Sequence, residues 1–219
     1  MNEQLVQGAD AHEYDSPYVS DSLVHFLKLV NWSIGGRHNS SPPRPTQVMA
    51  DTKTVAGAAV FTAFVFVSTF LFTAVITVTS GYFNFGEVMV YTTALIAGPY
   101  VGGFAGGVGS ALSDLVLAPQ YAPGTVVIKG IEGYVVGRLT VNSKSKTPRT
   151  VFAIVLGGAE MVAGYFFYES FGLRLGIFSA GAEIPFNVLQ ALVGLIVAVP
   201  LVRAIGSFMR SRSPIEVPN

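Results

Sequence analysis

The chain of 219 residues contains no cysteine, and that absence removes disulfides, thiolate nucleophiles, iron–sulfur clusters and cysteine zinc sites together. Histidine is nearly as scarce. His12, His25 and His38 all lie before residue 50, so the apolar remainder has neither a histidine metal site nor a histidine base. Charge is the third shortage: Asp, Glu, Lys and Arg make up 12% of the chain, against roughly 25% in an average soluble domain. The 13 basic residues balance 13 acidic ones, so the basic excess of a nucleic-acid-binding protein is missing. No phosphate loop, nucleophile elbow or paired-histidine motif occurs. No metal and no cofactor is expected, and no enzymatic activity. What the chain has in quantity is apolar surface, 51% of its residues with a mean hydropathy of +0.53, which points to a membrane protein.

Composition divides the chain near residue 53. Residues 1–50 are polar, end in the linker-like run Pro42, Pro43, Pro45, and lack the pattern of a secretory signal. Within them Leu23, Phe26, Leu27, Val30 and Ile34 recur at helical spacing, which suits an interfacial helix over about 22–34, a helix packed on a neighbouring subunit, or a disordered segment. Residues 54–208 form the membrane domain, and 209–219 a short tail.

A bilayer core of roughly 30 Å needs about 20 helical residues. Thr54–Ser80 is the first such span. Glu87–Leu117 is too long for one crossing and is broken by Gly98-Pro99 and by Gly102, Gly103, Gly106, Gly107 and Gly109, so it reads as two shorter helices. Thr125–Val141, Val151–Phe171 and Ile184–Phe208 complete an all-α bundle of six transmembrane helices. With the N-terminus inside, eleven of the thirteen basic residues fall on the inner side, leaving Lys129 and Arg174. Both termini are therefore expected in the cytoplasm, and the protein in the cell membrane as a multi-pass protein among its lipids.

Polar groups inside such spans normally face a partner or a wet cavity. Asp114 and Lys129 flank a short outer connection and could meet as a structural ion pair or line a site. Glu132 follows Lys129 by three and offers it a second partner. Glu183, Asn187 and Gln190 fall at i, i+4 and i+7, one polar stripe that Gly194 continues, serving either a ligand or interhelical hydrogen bonds. Glu160 lies midway along its span, flanked by Gly157, Gly158 and Gly164, as a buried acid, a ligand contact or a proton carrier.

The run Tyr82-Phe83-Asn84-Phe85-Gly86-Glu87, then Ala97-Gly98-Pro99-Tyr100-Val101-Gly102-Gly103, the stretch from Gly106 to Asp114, and Pro123 to Gly130 with Gly133 resemble the substrate-binding S component of energy-coupling factor (ECF) transporters, in the riboflavin-transporter-like group. The likeness covers roughly Thr54–Phe208 and includes Pro185, Asn187 and Gln190. It implies a six-helix protein that captures a vitamin or precursor for ATP-driven uptake, with a transmembrane T component and two cytoplasmic ATPases as partners. The family's Ala-x-x-x-Ala docking pattern matches Ala59 and Ala63. Residues 1–50 fall outside the likeness.

The resemblance leaves the vitamin open. A site ringed by Tyr82, Phe83, Asn84, Tyr121, Asn187 and Gln190 favours a flat, hydrogen-bonding ring, riboflavin or another aromatic vitamin. Glu87, Asp114, Lys129 and Glu183 complete the expected substrate-binding set. Two rival readings are an ion-coupled carrier using Glu160 and an intramembrane enzyme using Asp114, Glu132 and Glu160. No internal repeat supports the first and no motif aligns the acids of the second.

Overall fold

A computed structural model describes residues 52–76, 81–141 and 147–211. The expected interfacial helix at 22–34 lies outside the described residues. The elements, in order, are helix α1 (Thr52–Leu71), strands β1 (Thr73–Ile76) and β2 (Gly81–Asn84), then helices α2 (Gly86–Leu117), α3 (Ala122–Thr140), α4 (Thr147–Phe167) and α5 (Ile177–Ser211). A single π-helical turn, Tyr168–Gly172, extends α4. Three of the described helical stretches are long and apolar enough to cross a membrane: Gly86–Leu117, Thr147–Gly172 and Ile177–Phe208, with Val55–Leu71 a shorter apolar one.

The first expected span is corrected at its end. Thr54–Ser80 does not continue as one helix, because α1 stops at Leu71 and the chain forms an antiparallel pair with Thr73 opposite Asn84 and Ile76 opposite Gly81. The β-branched Thr73, Val75 and Ile76 lose side-chain freedom in a helix and suit the pleat of a strand. The last helix also begins about two turns before the expected Ile184, at Ile177.

The long α2 folds back on itself. Gly98 has φ 80° and ψ −172°, a conformation that side chains disfavour, and Pro99 follows it with no N–H to give to a continuous helix. A Cβ on Gly102 would lie 2.8 Å from Ala94 Cα, although eight residues of straight helix would separate those positions by about 12 Å. The segments before and after Gly98 therefore run side by side in opposite directions.

Glycine also sets the main packing seam. A Cβ on Gly107 would come within 2.6 Å of the Val126 carbonyl oxygen, and one on Gly103 within 2.9 Å of the Gly130 carbonyl oxygen. Helices α2 and α3 thus touch backbone to backbone, the close approach that small residues allow in lipid, where apolar burial gives little drive for helix association. The glycine run serves helix packing. Around the seam Val65, Val90, Tyr91, Ala94, Ala105, Val136, Ile154, Ala198 and Val202 form the core. On α1, Thr62, Val65 and Thr69 are buried, whereas Ala59, Val60, Ala63, Phe64 and Val67 are exposed.

Candidate ligand site

At the end of the bundle that holds the strand pair lies a cavity of about 30 Å³. It is lined by Asn84 from β2, Asp114 from α2, Tyr121 from the α2–α3 connection, Tyr165 and Glu169 from α4 and its π turn, and Glu183, Asn187 and Gln190 from α5. The α5 residues share one face because they stand at i, i+4 and i+7. Tyr165 and Glu169 are likewise one turn apart. The Asn84 side chain accepts from the Gly86 N–H at 2.7 Å, which ties the strand end to the start of α2.

The π turn is fixed against the α2–α3 connection by Tyr168. Its hydroxyl donates to the Gln120 carbonyl at 2.8 Å. The ring sits between Gly124 and Gly172, where a Cβ would come within 2.5 Å and 2.8 Å of it. Glu169 thereby turns toward the cavity from the following position.

Behind the cavity wall a polar chain runs into the bundle. Gln190 Oε1 accepts from the Asn84 N–H at 3.1 Å, and Gln190 Nε2 donates to Glu87 Oε1 at 2.9 Å. The same Glu87 oxygen pairs with Lys129 Nζ, which also donates to Glu132 Oε2 at 3.0 Å. Tyr91 closes the chain by donating its hydroxyl to Glu132 Oε1 at 2.8 Å. Glu87, Tyr91, Lys129 and Glu132 are buried, with at most 4% of any of them exposed. An isolated charge at this depth would cost several kcal/mol. Paired carboxylates on both sides of the ammonium group offset that cost.

This arrangement corrects one expected contact. Asp114 and Lys129, which flank a short connection, do not form the described ion pair; Lys129 turns to Glu87 across the helix interface and to Glu132 along its own helix. Thr125 is the hydrogen-bonding neighbour of Asp114 and also bonds the Tyr165 hydroxyl at 3.0 Å.

Of the ten residues expected around the substrate, Asn84, Asp114, Tyr121, Glu183, Asn187 and Gln190 line the cavity, Glu87 and Lys129 lie in the chain behind it, and Phe83 stands in β2 against Phe85, outside the lining. Tyr82 pairs with Val75 in the strand ladder, and its side chain lies outside the described ones. Tyr165 and Glu169 line the cavity without having been expected. Glu160 is half-buried on α4, away from the lining, with its Oε2 unpartnered among the described residues.

Asp114 Oδ2, Tyr121 Oη, Glu169 Oε2 and Glu183 Oε1 are buried and without a hydrogen-bond partner among the described residues. Burial, with Glu169 adding to it, pushes the Tyr121 phenol well above its usual pKa and keeps it protonated. A larger cleft of about 440 Å³ lies between α4 and α5, lined by side chains such as Val162, Phe166, Val188 and Leu195. Its lining is apolar throughout, so it offers an acyl chain a surface and a vitamin nothing to orient it.

Residues 49–207 match the family described as ECF-type riboflavin transporter, S component. A protein of Pyrococcus woesei described as "Uncharacterized protein in gap 3'region" is 41% identical over 131 residues, covering 60% of this chain and 86% of that protein. The family match takes in the strand pair, the reversal at Gly98, the glycine seam and every residue that lines the polar cavity. By that match and its apolar helices, the chain belongs to the S-component family of ECF-type riboflavin transporters, and is a multi-pass membrane subunit of a transporter and not an enzyme.

Proposed function

We propose that this chain captures a vitamin or vitamin precursor at the outer face of the cell membrane for ATP-driven uptake with a T component and two cytoplasmic ATPases. The observation that carries the reading is the polar cavity: tyrosines, amides and carboxyls from three helices, a strand and the α2–α3 connection converge at one end of an otherwise apolar bundle. Aromatic faces suit a flat ring and amides read its heteroatoms. Riboflavin is the first candidate, because the family matched over residues 49–207 is described by that vitamin.

In this reading α1, the two arms of α2, α3, α4 and α5 make six transmembrane helices, with both termini cytoplasmic. The charge distribution supports it, since Arg138, Arg149 and Arg203 lie in the segments opposite the cavity end. Residues 54–208 form the binding domain, 1–50 an extension and 209–219 a cytoplasmic tail. Drug-sized ligands occupy pockets of about 300–1,000 Å³, so in this reading the side chains around the cavity of about 30 Å³ move apart on binding. The exposed Ala59 and Ala63 on α1 provide the close-approach surface for the T component.

Uptake of radiolabelled riboflavin into vesicles tests the reading. Transport is expected only when this chain, a T component, both ATPases and ATP are all present. Accumulation by this chain alone, driven by an ion gradient and abolished by Glu160→Gln, would instead establish a self-sufficient carrier.

A further inference from the structure

Resting on the vitamin-capture reading, the geometry points to a charge rule for the cavity: it accepts the N–H or O–H edge of a neutral or cationic heterocycle and rejects anionic forms such as phosphate esters, with Asp114, Glu169 and Glu183 setting the discrimination. These three carboxyl groups enter from α2, the π turn and α5, and none is more than 5% exposed. Each has one buried oxygen without a partner among the described residues. Tyr121 stands apart from the acids and repeats the observation, since it is 6% exposed and its Oη is equally unpartnered.

An unsatisfied buried acceptor is costly, and a donor brought by a ligand removes that cost. Among the described residues, no lysine, arginine or histidine lines the cavity to supply one. Lys129, a buried cation one step behind the wall, is already held by Glu87 and Glu132. A metal ion is no substitute, because no three acidic, histidine or cysteine side chains among the described residues are grouped to hold one. A ligand that carries N–H or O–H groups can meet these acceptors directly. A phosphate or carboxylate would instead enter a buried site in which no described cation faces it, leaving its charge desolvated and unpaired.

Calorimetric titration of the full chain in detergent at pH 7 tests the rule with matched pairs: riboflavin and riboflavin 5′-phosphate, pyridoxine and pyridoxine 5′-phosphate, thiamine and thiamine monophosphate. In the pair that binds, the unphosphorylated member is expected to bind at least about 100-fold tighter. Asp114→Asn, Glu169→Gln and Glu183→Gln keep the side-chain shape, and each is expected to narrow that gap by about tenfold. Gel filtration and thermal unfolding identify which variants fold, and any one folded variant suffices for the comparison. Equal or tighter binding of the phosphorylated member overturns the charge rule and leaves vitamin capture standing. An unchanged gap in every folded variant overturns the role of the three acids. Absence of binding by every member of every pair overturns vitamin capture and this rule with it.

Discussion

Gln190 on α5 donates from Nε2 to the Glu87 carboxylate on α2 at 2.9 Å, joining helices whose contact positions lie 103 residues apart. Its other amide atom accepts from the backbone of Asn84 in β2. One side chain thus lines the cavity, secures the strand that edges it, and reaches the ion-paired interior.

Replacing either α5 amide separates binding from packing. Asn187 is half-buried and lines the cavity, so Asn187→Leu is expected to weaken vitamin binding by at least about tenfold with little change in thermal stability. Gln190→Leu is expected to weaken binding similarly and also to lower the unfolding temperature, because the Asn84 N–H and Glu87 lose a partner. Titration calorimetry and thermal unfolding in the same detergent check both. Wild-type binding by both variants would move the site elsewhere.

Lys129 is expected to be a stability residue. Lys129→Ala leaves Glu87 and Glu132 buried without their cation, at a cost of roughly 3–5 kcal/mol. The protein should elute aggregated or unfold at markedly lower temperature. Combining Lys129→Met with Glu87→Gln and Glu132→Gln removes the charges together and should recover much of the loss. A stable, monodisperse Lys129→Ala protein would contradict this account of the network.

Docking and binding should be separable on α1. Ala59 and Ala63 are exposed and one helical turn apart, so Ala59→Trp or Ala63→Trp adds bulk without entering the core. Ligand affinity of the solitary protein should stay nearly unchanged, while co-purification with the T component and ATP-driven uptake are lost. The opposite pattern, assembly intact and ligand lost, would exclude this face as the docking surface.

Much of this arrangement can be read along single helices, and the exceptions arise between helices. The stripe of Glu183, Asn187 and Gln190 is visible because local spacing alone places those residues on one face. The Lys129–Glu132 pair follows in the same way from a spacing of three. Lys129 with Glu87 does not, since their meeting depends on how α2 packs on α3, and closeness across the connection favoured Asp114 instead. Tyr165 and Glu169 carried a usable signal: they continue the buried face of Gly157, Gly158 and Met161 at helical spacing, but Glu160 drew attention as the acid at mid-span. The strand pair was concealed because Thr73 to Ile76 is as apolar as the helix before it, and hydropathy alone does not separate the two.

The ligand itself is the most direct test of vitamin capture. Protein purified in detergent without added vitamin, then denatured and analysed by mass spectrometry, is expected to release a heterocyclic vitamin or precursor in near-stoichiometric amount. If that ligand is riboflavin, the preparation will be yellow and fluorescent before denaturation. Repeated preparations that release nothing, and that bind no vitamin when titrated with a panel, would contradict the account.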